Sequence, residues 1–329
     1  MSSVLVTGGN GFVGQWLAKA LLAAGDTVTL SGLGPGFTNP PLLSGEERRA
    51  VRWVSADIRE AQAVARAIEE SRPDAIVHLA GISFPPEAER APLATYDVNA
   101  LGVVRLLDAV TARRKAGTID PVVLVVGSGA QYGRHPESAM PLAEDAQQMP
   151  QSVYAASKVA QEVAALQACR DSGLRVICVR SFNHSGAGQT ADYLIPSLVA
   201  RARGVRGGSE PTLKLGNDVV RDYLHVDDVV LAYLALLERG TPGDVYNVAS
   251  GRGVSVRQLA ADVLLRVGAT ADISTDMALQ RATDVPVLVG SHAKLTNDTG
   301  WTPQKTHLDI IDDVIRFASA PPAEHAATD

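Results

Sequence analysis

The sequence predicts an α/β protein: a doubly wound, parallel Rossmann-type sheet followed by a smaller C-terminal α/β lobe. Three observations carry this prediction. A glycine-rich turn, Gly8-Gly-Asn-Gly11-Phe-Val-Gly14, separates a short apolar strand from a helix. Strand and helix patterns then alternate as far as residue 180, which is the signature of parallel strands joined by helical crossovers. Finally, Tyr154 and Lys158 stand four apart at the start of a helix that follows the apolar run Val122-Val-Leu-Val-Val126 and Ser128.

Ser3 to Thr7 reads as the first buried strand and Gln15 to Ala24 as the first helix. Glycines at 8, 11 and 14 let a backbone approach a pyrophosphate, and the helix N-terminus offers unpaired N–H groups at the positive end of its dipole. The second strand, Thr27 to Ser31, ends on a hydroxyl rather than a carboxylate. An acidic residue there would bind the adenosine ribose of NAD and repel a 2′-phosphate. Ser31 does neither, so the cofactor is NAD(P), undecided between the two. Arg48 and Arg49 lie too far along the chain to be assigned to a phosphate.

Val51–Val54 is the third strand and 60–70 the next helix, with Asp57 and Ile58 between them where a carboxylate and an apolar side chain can meet adenine. Ala75–Leu79 is a strand ending in the small residues Ala80 and Gly81, which leave room at the sheet's C-terminal edge. A long helix over about 92–114 carries Asn99 in an otherwise apolar face. A buried Asn needs partners, so it is a backbone tether or a cofactor contact. The strand Val122–Val126 leads to Ser128, then the Tyr154 helix, then a strand over Leu174–Arg180.

Spacing gives the site its chemistry. Residues i and i+4 share a helix face, so an ammonium lies beside a phenol. A nearby cation favours the phenolate, fitting Tyr154 to exchange a proton with a hydroxyl or ketone while Ser128 holds the same oxygen.

Beyond residue 180 the alternation stops. Arg180-Ser-Phe-Asn183-His-Ser-Gly186-Ala-Gly188-Gln189 reads as a ligand-binding loop, and Arg221-Asp-Tyr-Leu-His-Val-Asp-Asp228 as a helix start capped by its aspartates. Val245–Val248 is one more strand; 256–267 and 308–317 are helical. The domain expectation is a Rossmann unit over 1–180, to which 220–250 return, and a substrate lobe over most of 181–329.

Whole-chain properties exclude other classes. The 329 residues carry a formal net charge of −6, with 46% hydrophobic and 20% charged residues, which disfavours general nucleic-acid binding. The basic run Arg201-Ala-Arg-Gly-Val-Arg206 reads as a solvated helix face rather than a phosphate site. Cys169 and Cys178 show neither metal-ligand nor disulfide spacing, so no metal is expected and the thiols read as reduced in a cytoplasmic protein. No apolar run approaches membrane-spanning length.

Taken together, the Gly8/Gly11/Gly14 turn, Asp57, His78-Leu-Ala-Gly81, Asn99, Ser128, Tyr154/Lys158 and Arg180-Ser-Phe-Asn183 resemble the extended short-chain dehydrogenase/reductase family over the whole chain. The C-terminal half is most similar to GDP-4-keto-6-deoxy-D-mannose reductases, through Phe182–Gln189, Arg221–Asp228, Val245–Gly251, Val289–Leu295 and Gly300–Pro303.

The resemblance implies catalysis by Ser128, Tyr154 and Lys158. It implies cofactor contacts from Gly8, Gly11, Phe12, Val13, Ser31, Asp57, Ile58, Leu79, Ala80, Gly81, Asn99, Tyr154 and Lys158. It also implies a nucleotide-sugar site, GDP-linked by subfamily, formed by Ser83, Ser128, Gly129, Asn183, Gly216, Arg221 and Arg281, and a homodimer formed through helices at about 92–114 and 152–170. Departures from the family pattern are Gly186-Ala-Gly188 for Gly-Pro-Gly, Gly127 for a common Ser, and Gln131 for an apolar residue.

Within the family, 4,6-dehydratases place carboxylates directly after the catalytic hydroxyl; here Gly129 and Ala130 stand there, and elimination has no evident acid/base pair. The resemblance therefore implies reduction of a 4-keto-6-deoxy sugar. A 4-epimerase with retained NAD is the alternative. A nucleotide-sensing protein of the same fold would not need the tuned phenol.

Overall fold

The computed structural model describes residues 1–37, 42–208, 212–280 and 284–319. Its core is a seven-stranded, all-parallel sheet: β1 (Ser3–Thr7), β2 (Thr27–Gly32), β3 (Arg52–Ser55), β4 (Ala75–His78), β5 (Val122–Ser128), β6 (Arg175–Ser181) and, later in the chain, β10 (Val245–Val248). The spatial order is β10-β6-β5-β4-β1-β2-β3, so the winding reverses between β1 and β4. Ligands of such sheets sit beyond the strand C-termini at this reversal, next to Thr7, His78 and Ser128.

Helices cover both faces. α1 (Phe12–Ala23) and α9 (Val226–Arg239) pack Leu17, Leu21, Val229 and Tyr233 against one side. α3 (Ala61–Ser71), α6 (Gly102–Lys115) and α7 (Val153–Ser172) pack Val64, Ile68, Leu106, Leu107 and Ala165 against the other. Each fully buried aliphatic side chain contributes about 2 kcal/mol. The short α2 (Gly45–Ala50) carries Arg48 and Arg49 and is capped by Ser44, whose hydroxyl accepts from the Glu47 N–H.

The helix expected over about 92–114 is three consecutive pieces after α4 (Pro85–Arg90): α5 (Pro92–Tyr96), a π-helical turn (Asp97–Leu101) and α6. The wide turn carries Asn99, and such turns often accompany functional positions.

The second lobe is assembled from strands too short to be recognised by pattern. β9 (Val220–His225) is flanked by β11 (Gly253–Ser255) and β13 (Val287–Leu288) and also pairs with β7 (Asn183–Ser185). β8 (Thr212–Leu215) pairs with β12 (Asp272–Thr275). Around them pack α8 (Leu194–Arg206), α10 (Val256–Val267) and α12 (His307–Ser319), while α11 (Ala293–Thr299) joins the main core through Leu295.

Two readings need correction here. Arg221–His225 is a strand, not a helix start: the helix begins at Val226 and its N-cap is His225, whose ring accepts from the Asp227 N–H. Asp228 lies buried in the first turn and accepts instead from the backbone of Gln304 and Lys305. Of residues 220–250, therefore, β10 lies in the main sheet and β9 in the other. Likewise Arg180 and Ser181 still belong to β6, so the polar loop starts later than expected.

Arg201, Arg203 and Arg206 of α8 donate to the carbonyls of Lys214, Ile315 and Val267, tying down neighbouring chain ends.

Asp222 joins the two lobes. Its carboxylate accepts from Ser250 N and Oγ at 2.8 and 2.6 Å, Gly251 N at 2.9 Å and Gly290 N at 3.3 Å, wholly buried. Removing it strands four donors, so Asp222→Ala should lower unfolding free energy by about 3 kcal/mol in urea titration; a loss under ~1 kcal/mol would contradict this account.

Candidate active site

The glycine turn is shaped by contacts a side chain would forbid. Gly8 has φ +70°, and a Cβ there would lie 2.8 Å from the Ala80 nitrogen. A Cβ on Gly14 would lie 2.7 Å from the Gly8 carbonyl oxygen. The resulting close approach puts the uncapped N-terminus of α1, with Gly11 at the cap and Phe12 and Val13 following, against β1 and β4. The positive end of the α1 dipole and the absent side chains fit a pyrophosphate-bearing cofactor.

Around this cradle the other expected cofactor positions divide. Ala80 donates its N–H to Thr7 Oγ1 at 3.3 Å, and Leu79 to the Thr7 carbonyl at 3.1 Å. Ser31 is buried within β2, its carbonyl accepting from Gly9 N at 2.9 Å. Ile58 is buried against Gly102. Asp57 accepts from Arg59, with a closest distance of 2.6 Å, and that hydrogen bond holds its carboxyl below the usual range.

Asn99 proves to be a tether: its Oδ1 accepts from Ile82 N at 2.8 Å, and its Nδ2 donates to Ile82 O at 3.1 Å and Ser157 Oγ at 2.9 Å. It thereby fixes the Gly81 segment to the helix that carries Tyr154.

Tyr154 and Lys158 occupy one face of α7, opposite the end of β5. The Ser128 hydroxyl accepts from Ala130 N at 3.2 Å and stands near enough to the Tyr154 phenol to oppose the rise in its pKa. Lys158 behaves differently from the expectation. Its Nζ donates to Val126 O at 3.0 Å and Gln161 Oε1 at 2.9 Å, and burial lowers its pKa to about 8. Tyr154 is raised, not lowered. Burial is the main cause, opposed by the Ser128 hydrogen bond. Lys158 faces a strand carbonyl rather than the phenol, so the cation does not draw the phenol down.

Beneath this trio lies a buried ion pair. Arg180 donates to Glu162 through Nε at 2.9 Å and Nη2 at 2.7 Å, and to Tyr132 Oη at 2.8 Å; Tyr132 in turn donates to Asn247 Oδ1 at 2.7 Å.

The expected substrate positions are spread over both lobes. Ser83 Oγ lies 3.2 Å from Tyr193 Oη, bridging the two lobes, and Tyr193 also packs edge-on against Phe84. Gly129 faces the Phe182 ring, where a Cβ would be 3.0 Å away. Asn183 opens β7 and is exposed; Gly216 follows β8 against the Leu279 carbonyl. Arg221 is largely enclosed, donates to Val220 O at 2.9 Å, and is lowered by burial. Arg281 lies outside the described residues.

Sequence reading missed Tyr193, which carried no local signal. It also missed Glu162, which the four-residue spacing from Lys158 would have revealed. Among the described residues no group of His, Cys, Asp and Glu is placed to hold a metal ion, and no helix is long and apolar enough to cross a membrane.

Comparison with known proteins places this geometry. A family model described as GDP-mannose 4,6 dehydratase matches residues 5–314. GDP-6-deoxy-D-mannose reductase of Pseudomonas aeruginosa is 40% identical over 236 residues, 71% of this chain and 76% of that protein. The structure of RMD from Pseudomonas aeruginosa complexed with NADPH superposes with a TM-score of 0.82 at 33% identity, covering 96% of this chain and 98% of that one. The Thermus thermophilus UDP-glucose 4-epimerase in complex with NAD gives 0.80 at 29% identity, covering 97% and 99%.

His78, at the end of β4, has one ring nitrogen 2.8 Å from Thr7 Oγ1 and the other buried without a partner. Burial, then the Lys158 charge, lowers its pKa to about 3. The unfolded chain takes up this proton near pH 6.5 and the folded chain only near 3. Stability should therefore fall as pH drops from 6.5 toward 3, by about 1.4 kcal/mol per unit from this group. His78→Asn, which keeps a partner for Thr7, should flatten the decline between pH 6.5 and 5 in denaturant titrations; parallel slopes would refute the assignment.

Proposed function

The chain belongs to the GDP-mannose 4,6-dehydratase family of extended short-chain dehydrogenases/reductases and is an NAD(P)-dependent oxidoreductase of nucleotide sugars; from that premise we propose that it reduces the C4 ketone of GDP-4-keto-6-deoxy-D-mannose, giving GDP-D-rhamnose or its C4 epimer. The observation that carries this reading is Ser128 set beside Tyr154 with no carboxylate behind it. Gly129 abuts Phe182, so an acidic side chain there would displace the ring, and Ala130 has no proton to exchange. The site thus holds the apparatus for proton transfer at one oxygen and lacks the additional acid/base pair that elimination demands.

The roles follow from position. Ser128 donates to the ketone oxygen and fixes the carbonyl. Tyr154, kept protonated by burial, gives its proton to that oxygen as negative charge develops. Lys158 contributes a buried positive charge beside the sheet edge. Gly8, Gly11, Phe12 and Val13 cradle the pyrophosphate of NAD(P)H, with Ala80, Gly81 and Ile58 along its length; bound there, the reduced nicotinamide supplies hydride. Ser83, Asn183, Gly216, Arg221 and Arg281 are assigned to the sugar nucleotide, Arg221 as an enclosed cation suited to phosphate.

The chain works in the cytoplasm as a homodimer. Leu93, Leu101 and Val104 from α5 to α6 and Val163 on α7 are exposed apolar side chains on the helices assigned to the dimer contact, with Leu93 88% and Val163 59% accessible. Covering them with a second copy would bury surface that otherwise faces water.

Purified protein should oxidise NADH or NADPH stoichiometrically with GDP-4-keto-6-deoxymannose, read by loss of reduced-nicotinamide absorbance. Tyr154→Phe should lower kcat at least about 100-fold while retaining cofactor binding, which separates an enzyme from a nucleotide sensor. Absence of oxidation, with NAD carried through purification, would replace this reading by a 4-epimerase.

In sedimentation velocity the chain should run as a dimer, and Leu101→Asp with Val163→Asp as a folded monomer. A monomeric wild type would remove the dimer assignment.

A further inference from the structure

Gln131 occupies a position the catalytic roles do not explain. It is fully buried, and both ends of its amide are matched. Its Oε1 accepts from the backbone N–H of Ser128 at 2.7 Å, and its Nε2 donates to Glu162 Oε2 at 2.9 Å. Glu162 lies one turn beyond Lys158 and two beyond Tyr154 on α7, clamped by Arg180 and by Gln148 Nε2 at 2.5 Å. One amide therefore connects the serine on β5 to the helix that carries the tyrosine.

Gly127 makes this connection sterically possible. A Cβ on Gly127 would lie 2.4 Å from Gln131 Oε1 and 2.7 Å from the Val179 carbonyl oxygen. A side chain at 127 and the amide at its present position exclude each other. The two departures singled out in the sequence meet here: the glycine at 127 leaves room for the Gln131 amide and for the β6 backbone beside it.

We propose that Gln131 is a positioning residue of the active site, coupling Ser128 to the Glu162–Arg180 pair and so setting the Ser128 hydroxyl against the Tyr154 phenol. The inference deepens the oxidoreductase reading above and rests on it for the roles of those two groups. Ser128 and Tyr154 must address the same substrate oxygen, so a small displacement of the serine weakens the transition state more than ground-state binding. An apolar residue at 131 would leave the Ser128 N–H unpaired in a buried place and take one of the two donors from Glu162 Oε2, which would keep only Arg180 Nε.

Two variants of the full chain test it. Gln131→Met preserves shape and removes both hydrogen bonds. With GDP-4-keto-6-deoxymannose and NADPH it should lower kcat at least about tenfold, with KM and NADPH affinity within about twofold. Gln131→Glu keeps an acceptor for Ser128 but sets a second carboxyl against Glu162. Two such groups cannot both ionise, so the pair retains one proton at a raised pKa. Activity should approach wild type at low pH and fall as pH rises through that value, an extra limb the wild type lacks.

A readout without turnover comes from ultraviolet titration of the Tyr154 phenol, by difference against Tyr154→Phe. Loss of the Ser128 bond in Gln131→Met should move that ionisation further upward. Lowered thermal stability with unchanged kcat, pH profile and phenol titration would reduce Gln131 to a buried structural residue and overturn the proposal. If wild type does not reduce this ketone but interconverts UDP-glucose and UDP-galactose, the reductase reading fails while the same variants, assayed on UDP-galactose, still judge Gln131. If neither substrate turns over, the phenol titration decides alone.

Discussion

The structure depends on the burial of a polar helix face. α7 presents Ala155, Ser157, Lys158, Gln161, Glu162 and Ala165 to the protein interior. Four of these six are polar, and an unpaired ammonium or carboxylate in such a place would cost several kcal/mol. Each is matched. The Val126 carbonyl accepts from Lys158 and Gln161, Glu162 takes both forks of Arg180, and Ser157 accepts from Asn99. Since these partners sit at fixed places on β5, β6 and the π-helical turn, with Gln131 and Gln148 adding to Glu162 from the segment after β5, α7 has one register in which its polar groups are satisfied. That register sets Tyr154 against Ser128.

This constraint explains why the first half of the chain was legible. Its strands are continuous apolar runs because both faces are covered, and its glycines mark close backbone approach, so β1, β2 and β5 are read within two residues of their observed ends, as is β10 later in the chain. Gly8 and Gly14 are readable because their geometry forbids any other residue. Asn99 announces itself as a polar residue in an apolar stripe; the coordinates add that Ile82 and Ser157 match its amide.

The second lobe was illegible for the complementary reason. β7, β11 and β13 have three, three and two residues, too few for a period. Their pairing on β9 is specified by contacts distant in sequence, chiefly the Asp222 carboxylate that gathers Ser250, Gly251 and Gly290. Arg221–His225 shows how this misleads. Asp227 and Asp228 look like helix caps, but the strand ahead of them hands that role to His225 and frees Asp228 to fasten the chain at 304–305. Tyr193 was invisible because it meets Ser83 across 110 residues.

The behaviour of Tyr154 bears on the direction of the proposed reaction. Spacing alone suggested a phenol drawn down by Lys158, which is what the oxidation of an alcohol asks of a base. In the fold, Lys158 turns toward Val126 and burial dominates at the phenol, raising its pKa rather than lowering it. A group meant to deliver a proton to a reduced carbonyl has to hold one beforehand, and the developing alkoxide is basic enough to remove it. The Ser128 hydrogen bond opposes the upward shift, easing the phenol's release of its proton at the oxygen that both residues address. Burial thus leaves the tyrosine holding a proton that it can give to the oxygen it shares with Ser128, while Lys158 is engaged by the Val126 carbonyl.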